Sequence, residues 1–218
     1  MEQDEPSKMQ DEAASAVCER ARPGDAARGL LVENMTARAY ISVLSDKGLN
    51  ADAVKVLAHA LPKRAAVWWA CLCAAERLGP APADVAVAAL EAARAWVVDP
   101  TDTLRRAALP AAQAAGMGTP AGCAAAAAYF SGGSLAPPDL PAVTPPEHLT
   151  GRMVANSLVL AAVINEPEKA AEKYAAFLRT GLDVADGRRF WPKSDSKTSA
   201  TAPREGGSAH ESTQRLRR

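Results

Sequence analysis

The chain has 218 residues and a mass of 22.7 kDa, room for one domain of ordinary size, and 25 Lys+Arg balance 25 Asp+Glu. That balance removes the simplest electrostatic case for binding nucleic acid or an anionic membrane, and four cysteines are too few for a disulfide-dense secreted scaffold. Hydrophobic residues make up 48 % but aromatic residues only 5 %, with Ala the dominant apolar type. Such a composition points to closely packed helices.

The acidic start, Met1-Glu-Gln-Asp-Glu-Pro6, lacks the basic region and apolar run of a signal peptide. The apolar stretch Val154–Ile164 is too short to span a bilayer and contains Asn156 and Ser157. The expectation is therefore a cytoplasmic protein with no membrane partner. Residues 1–29 are polar and weakly patterned, and read as a mostly disordered segment in which Ala favours a short helix around Asp11–Arg22.

A helical domain is expected over residues 30–187. Met35–Lys47 sets Ala39, Val43 and Leu44 at helical spacing, with Gly48 as its stop. Asn50 caps a second helix carrying Val54, Leu57, Ala58 and Leu61. Pro62 opens a third, Lys63–Leu78, and Pro82–Val98 makes a fourth. The acidic residues Asp99 and Asp102 read as stop and cap before Leu104–Ala115, and Thr119-Pro120 starts a sixth helix running to Tyr129.

The chain then turns irregular. Five prolines (Pro137, Pro138, Pro141, Pro145, Pro146) forbid a helix between Phe130 and Pro146. A connection this long inside a compact domain is usually functional or a linker. Leu135, Leu140 and Val143 suggest a strap packed on the body in extended form. Glu147–Ile164 is apolar on several sides and is expected to be buried. The last helix, restarted by Asn165-Glu-Pro-Glu168, should bury Ala171, Tyr174, Leu178 and Leu182 and expose Glu168, Lys169, Glu172 and Lys173. The result is an all-α fold of about eight helices, with the proline-rich strap between the sixth and seventh. Residues 188–218 read as a disordered basic tail. Trp68 and Trp96 lie 28 residues apart, but their flanks do not repeat, so no solenoid is inferred.

No motif assembles a nucleophile, base and orienter, and no cofactor or metal is expected. Cys71 and Cys73 point about 200° apart on one helix and cannot share a metal there. Ser131-Gly-Gly-Ser134 lacks the rest of a P-loop and reads first as a turn after a helix. A hydrolytic or small-molecule-binding alternative would use Ser131 or Ser134 with His148 as base. Trp68 reads as core, whereas Trp69 is a candidate rim anchor, and Trp191 either clamps the last helix or begins the tail.

Taken together, Ala66-Val-Trp-Trp-Ala70, Tyr129-Phe-Ser-Gly-Gly-Ser-Leu-Ala-Pro-Pro138 and Pro145-Pro-Glu-His-Leu-Thr150 resemble an uncharacterised bacterial family of helical domains, with a Trp-Trp motif preceding a Ser-Gly-Gly-Ser strap. The resemblance spans roughly residues 30–187. It implies an accessory protein of bacterial gene clusters, among them type VI secretion clusters, and brings no catalytic residue with it. The reading that follows is a non-enzymatic adaptor or chaperone-like protein. Its expected contact surface is Trp69, Phe130, Ser131, Gly132, Gly133, Ser134 and His148. The expected partner is another protein, a secretion component or effector, and alanine-rich helices are also compatible with a homodimer.

Overall fold

The computed structural model describes Met9 and residues 12–137 and 139–192; the tail beyond residue 192 lies outside the described residues. Among these residues the chain is all α, with ten α-helices and no strand. The helices are α1 (Ala14–Ala21), α2 (Asp25–Arg28), α3 (Ala37–Asp46), α4 (Asn50–Ala60), α5 (Lys63–Ala75), α6 (Asp84–Val98), α7 (Asp102–Ala115), α8 (Pro120–Tyr129), α9 (His148–Val163) and α10 (Ala170–Ala185). A single 3₁₀ turn, Pro167–Lys169, precedes α10.

Local chemistry sets most of these boundaries. Three threonines cap helices through their hydroxyls: Thr36 accepts from Ala39 N, Thr101 from Leu104 N and Thr119 from Gly122 N. Pro120 follows as the first residue of α8, where its missing N–H costs nothing. At the α3–α4 turn Gly48 takes φ +72, a conformation that favours glycine, and Leu49 N then reaches Leu44 O at 2.8 Å.

Two helices exceed the eight expected, and both lie in the segment expected to be mostly disordered; α1 falls within the Asp11–Arg22 stretch where a short helix was expected, and α2 was not expected. α1 buries Ala14, Val17 and Cys18, and α2 buries Ala27. Ala14 N donates to Met35 O and Ala37 N to Glu12 O, which ties α1 to the start of α3. Tyr40, fully buried on α3, donates to Ala27 O at 2.6 Å and fastens α2. A polar segment is thus ordered because its few apolar residues share one face and its backbone finds partners.

At the centre lies α8, Pro-Ala-Gly-Cys-Ala-Ala-Ala-Ala-Ala-Tyr, every residue of which is buried. Helices α5, α6, α7 and α9 all pack on it. Small side chains let neighbouring backbones approach closely, and large ones from the surrounding helices fill the remaining space. Helix α5 is buried on most of its circumference, from Ala65 to Cys71 and again at Cys73 and Ala74. In contrast to expectation, α9 keeps one open face, with Arg152, Asn156 and Val163 exposed.

The buried stripe of α10 is rotated from the expected one. Phe177, Leu178, Gly181 and Val184 are buried, Tyr174 and Leu182 are half-buried, and Ala171 is exposed. Lys173, expected on the solvent face, is buried. Its ammonium donates to the carbonyls of Ile164, Asn165 and Glu166 at 3.0, 3.0 and 3.1 Å, where the chain turns between α9 and the 3₁₀ turn. Three carbonyl acceptors satisfy all three ammonium protons, so the charge is held without a carboxylate.

Candidate functional site

The α8–α9 connection is organised by an arginine from α7. Arg105, whose side chain is 4 % exposed, donates from Nη1 to Tyr129 O at 2.8 Å, from Nη2 to Ser134 O at 2.9 Å and from Nε to Asp102 Oδ1 at 2.8 Å. The guanidinium also lies 5.2 Å from the centre of the Tyr129 ring. Arg106 donates to Asp102 Oδ2 at 2.7 Å and to Ala136 O at 3.0 Å. Hydrogen bonds from Arg106 and Arg105 hold the Asp102 carboxyl below the usual carboxylate range. Lys63, at the start of α5, reaches Ser131 O at 3.0 Å, and Thr150 on α9 donates to Phe130 O at 3.0 Å.

Beyond Ser134 the connection closes on itself instead of lying extended along the body. Leu135 N donates to Val143 O at 2.8 Å, and Ser134 Oγ accepts from Ala136 N at 3.0 Å and Val143 N at 3.1 Å. Tyr129 completes the neck by donating its hydroxyl to Leu135 O at 3.2 Å. Loops of this length with joined ends are compact surface elements and are frequently functional. Of the three apolar residues expected to pack down, only Leu135 does so; Leu140 and Val143 are 55 % and 53 % exposed.

The expected contact residues divide accordingly. Phe130, Ser131, Gly132, Gly133 and Ser134 form the base of the loop, mainly through backbone groups. Gly133 takes φ +63, and a β-carbon there would lie 2.9 Å from both Arg105 Nε and Asp102 Oδ1. Gly132 faces open space.

Trp69 is not a rim residue. It is fully buried and donates its indole N–H to Phe177 O on α10 at 2.8 Å. Gly181, one turn further along α10, makes room for it: a β-carbon there would come within 2.6 Å of the ring. The partly polar indole is satisfied by a main-chain acceptor, so its position next to Trp68 in sequence says nothing about exposure. Trp191 clamps the end of the described chain, with the Arg64 guanidinium 4.5 Å from its ring centre.

His148 begins α9 and is half-buried, where it lines a cleft with Glu19, Arg20, Arg22 and Arg152. No hydrogen bond joins it to Ser131 or Ser134 among the described residues. The four cysteines are buried and unpaired. Burial raises every thiol, Cys71 to about 12 and Cys123 to about 11, so the reactive thiolate form is disfavoured at neutral pH. Among the described residues no three His, Cys, Asp or Glu side chains converge on a metal position, and no helix is long and apolar enough to cross a membrane.

Sequence reasoning missed Arg105, Arg106 and Lys63. The available signal was the Asp102–Arg105–Arg106 spacing, which places both guanidinium groups one turn from the carboxylate. Thr101 supplies the helix cap, leaving Asp102 free for that role.

The profile of a family of unknown function, DUF6931, matches residues 40–185. The chain belongs to the DUF6931 family. No curated protein and no solved structure matches it. In this DUF6931 protein the matched region runs from Tyr40 on α3 to Ala185 at the end of α10, so it takes in Trp69, the whole α8–α9 connection and His148. It leaves out α1 and α2, which pack on the DUF6931 body through Tyr40 and the start of α3.

Proposed function

We propose that this DUF6931 protein is a non-enzymatic interaction protein, an adaptor or chaperone-like accessory of a bacterial type VI secretion or effector cluster. It works in the cytoplasm and engages a protein partner through the loop that begins at Ser134. The observation that carries this reading is the contrast between the neck and the tip of that loop. The backbone of the neck, Val143 included, is held by Arg105, Arg106, Tyr129 and Ser134, while the side chains of Val143 and of Leu140 beyond it stand exposed. Presenting apolar side chains on a braced backbone lowers the ordering cost that a flexible loop would bear on binding. The hydrolytic alternative needs Ser131 or Ser134 activated by His148, but neither serine is hydrogen-bonded to His148 among the described residues, and Ser134 Oγ accepts from two backbone N–H groups.

The test is photo-crosslinking in the native host, with a benzophenone residue at position 140, at position 143, or at the exposed Val32 as a control. A protein encoded in the same gene cluster should be captured from positions 140 and 143 and not from 32, and Val143→Asp should abolish capture at 140. Equal capture from all three positions, or capture of none, overturns the proposal.

A further inference from the structure

On the side of the molecule where α1, α4 and α9 meet there is a cleft of about 210 Å³ whose charged lining is of one sign. Arg20, Arg22, Lys55 and Arg152 face it, with His59 and Asn156, and no carboxylate of a described residue lines it. Two of the four cations are already engaged: Arg20 with Glu12 through paired hydrogen bonds, and Lys55 with Asp52 at 3.0 Å. Neither the Arg22 nor the Arg152 side chain makes a hydrogen bond or ion pair with another described residue. Glu19 lines an adjoining hollow that shares Arg20, Arg22 and Arg152 with this cleft, and Glu147 lies on the far side of His59.

The geometry of these two arginines is set by the backbone. Arg22 ends α1 at φ +47, with its N–H bonded to Cys18 O at 2.8 Å, which turns the chain sharply away from the helix. Arg152 projects from the exposed face of α9, one residue past Gly151. That glycine leaves room for His59: a β-carbon on it would lie 2.5 Å from His59 Nδ1, so the imidazole packs directly on the α9 backbone. His59 makes no side-chain hydrogen bond with another described residue. Burial, together with the positive charges of Arg20 and Arg152 and the neighbouring His148, holds its pKa down to about 4. At neutral pH it is an uncharged ring with an N–H to offer, in a field that disfavours any further cation.

We propose that this cleft is an oxyanion site that takes a phosphate-class group, with Arg22 and Arg152 as its guanidinium donors and His59 and Asn156 as further polar partners. Guanidinium forks match the paired oxygens of phosphate, and two exposed guanidinium groups that converge on one hollow without a bonded partner among the described residues are the arrangement such a ligand relieves. Two of the lining arginines, Arg20 and Arg22, lie outside the region matched by the DUF6931 profile. The site is separate from the loop that begins at Ser134 and does not depend on the role assigned to it.

The test is calorimetric titration of the full chain at constant ionic strength, with pyrophosphate in one arm and a short phosphoserine peptide in the other. The expected result is saturable binding in at least one arm, weakened about tenfold or more by Arg152→Gln and by Arg22→Asn, as loss of a charge-assisted pair requires. Asn tolerates the left-handed backbone at position 22, and Arg152 is exposed, so both variants should keep the parent melting temperature. Arg152→Lys, which keeps the charge but loses the fork, should bind between wild type and Gln. Binding of pyrophosphate assigns a free phosphate ligand, and binding of the peptide alone assigns a phosphorylated protein. Absence of saturation in both arms overturns the site, as does equal affinity in wild type and the double variant.

Discussion

Gly133 lies directly against the guanidinium of Arg105, with 2.9 Å from a β-carbon at that position to Arg105 Nε. The Ser-Gly-Gly-Ser turn is therefore a seat for a buried arginine, and the arginine in turn fixes where the loop leaves the body. The two glycines are not equivalent, since only Gly133 combines a positive φ with a crowded approach. Gly133→Ala should destabilise the protein by about 1–3 kcal/mol, from backbone strain and displacement of the Arg105–Asp102 pair. Gly132→Ala should be neutral or stabilising by up to about 1 kcal/mol. Urea denaturation of the two variants side by side checks this, and equal effects would refute the assignment.

Removing the arginine should be worse. Arg105→Met leaves Tyr129 O and Ser134 O without their donor and deprives Asp102 of one partner. The expected cost is about 2–4 kcal/mol, with Arg105→Lys restoring little because one ammonium cannot span three acceptors in the same fork. Faster proteolysis within residues 131–143 should accompany the loss of stability.

Trp69→Ala is expected to cost about 3–5 kcal/mol by opening a cavity between α5 and α10 and orphaning Phe177 O. The readout is thermal unfolding followed by helical circular dichroism. An unchanged melting temperature would contradict the buried position.

His59 makes stability depend on pH. Its folded pKa of about 4 lies below the ordinary value near 6.5, so acid protonates the unfolded chain first. Its contribution is fully present above pH 6.5 and is lost as pH falls towards about 4, levelling below that. The span is on the order of 3 kcal/mol at most. Arg20, His148 and Arg152 all face the ring, and His59→Gln should flatten the profile over this window without abolishing the steeper loss at lower pH, where carboxylates such as Asp102 are protonated. A wild-type profile that is flat between pH 6.5 and 4 would show that the ring is not held neutral.

Much of the helical plan was legible because its punctuation is local. The third to sixth expected helices, together with Glu147–Ile164, match α5 to α9 to within a few residues. Each is bounded by a proline, a glycine or a threonine whose effect does not depend on distant contacts. In the first 29 residues a short helix near α1 was legible, but α2 was not, because it is a single polar turn held by Tyr40 rather than by a pattern of its own.

By itself the sequence determined an all-helical chain, the positions of most helix ends, an irregular proline-rich connection after Phe130 and thiols with no metal spacing. Tertiary structure decided which helix is central, which tryptophan is sealed and what each charged side chain is for. Periodicity reports which residues share a face, not what approaches that face. An alanine block such as α8 has no apolar side to reveal. Lys173 and Arg105 are buried only because chain reversals elsewhere bring carbonyls to meet them. The cleft at Arg22, His59 and Arg152 joins three helices distant in sequence, and only packing brings their charges together.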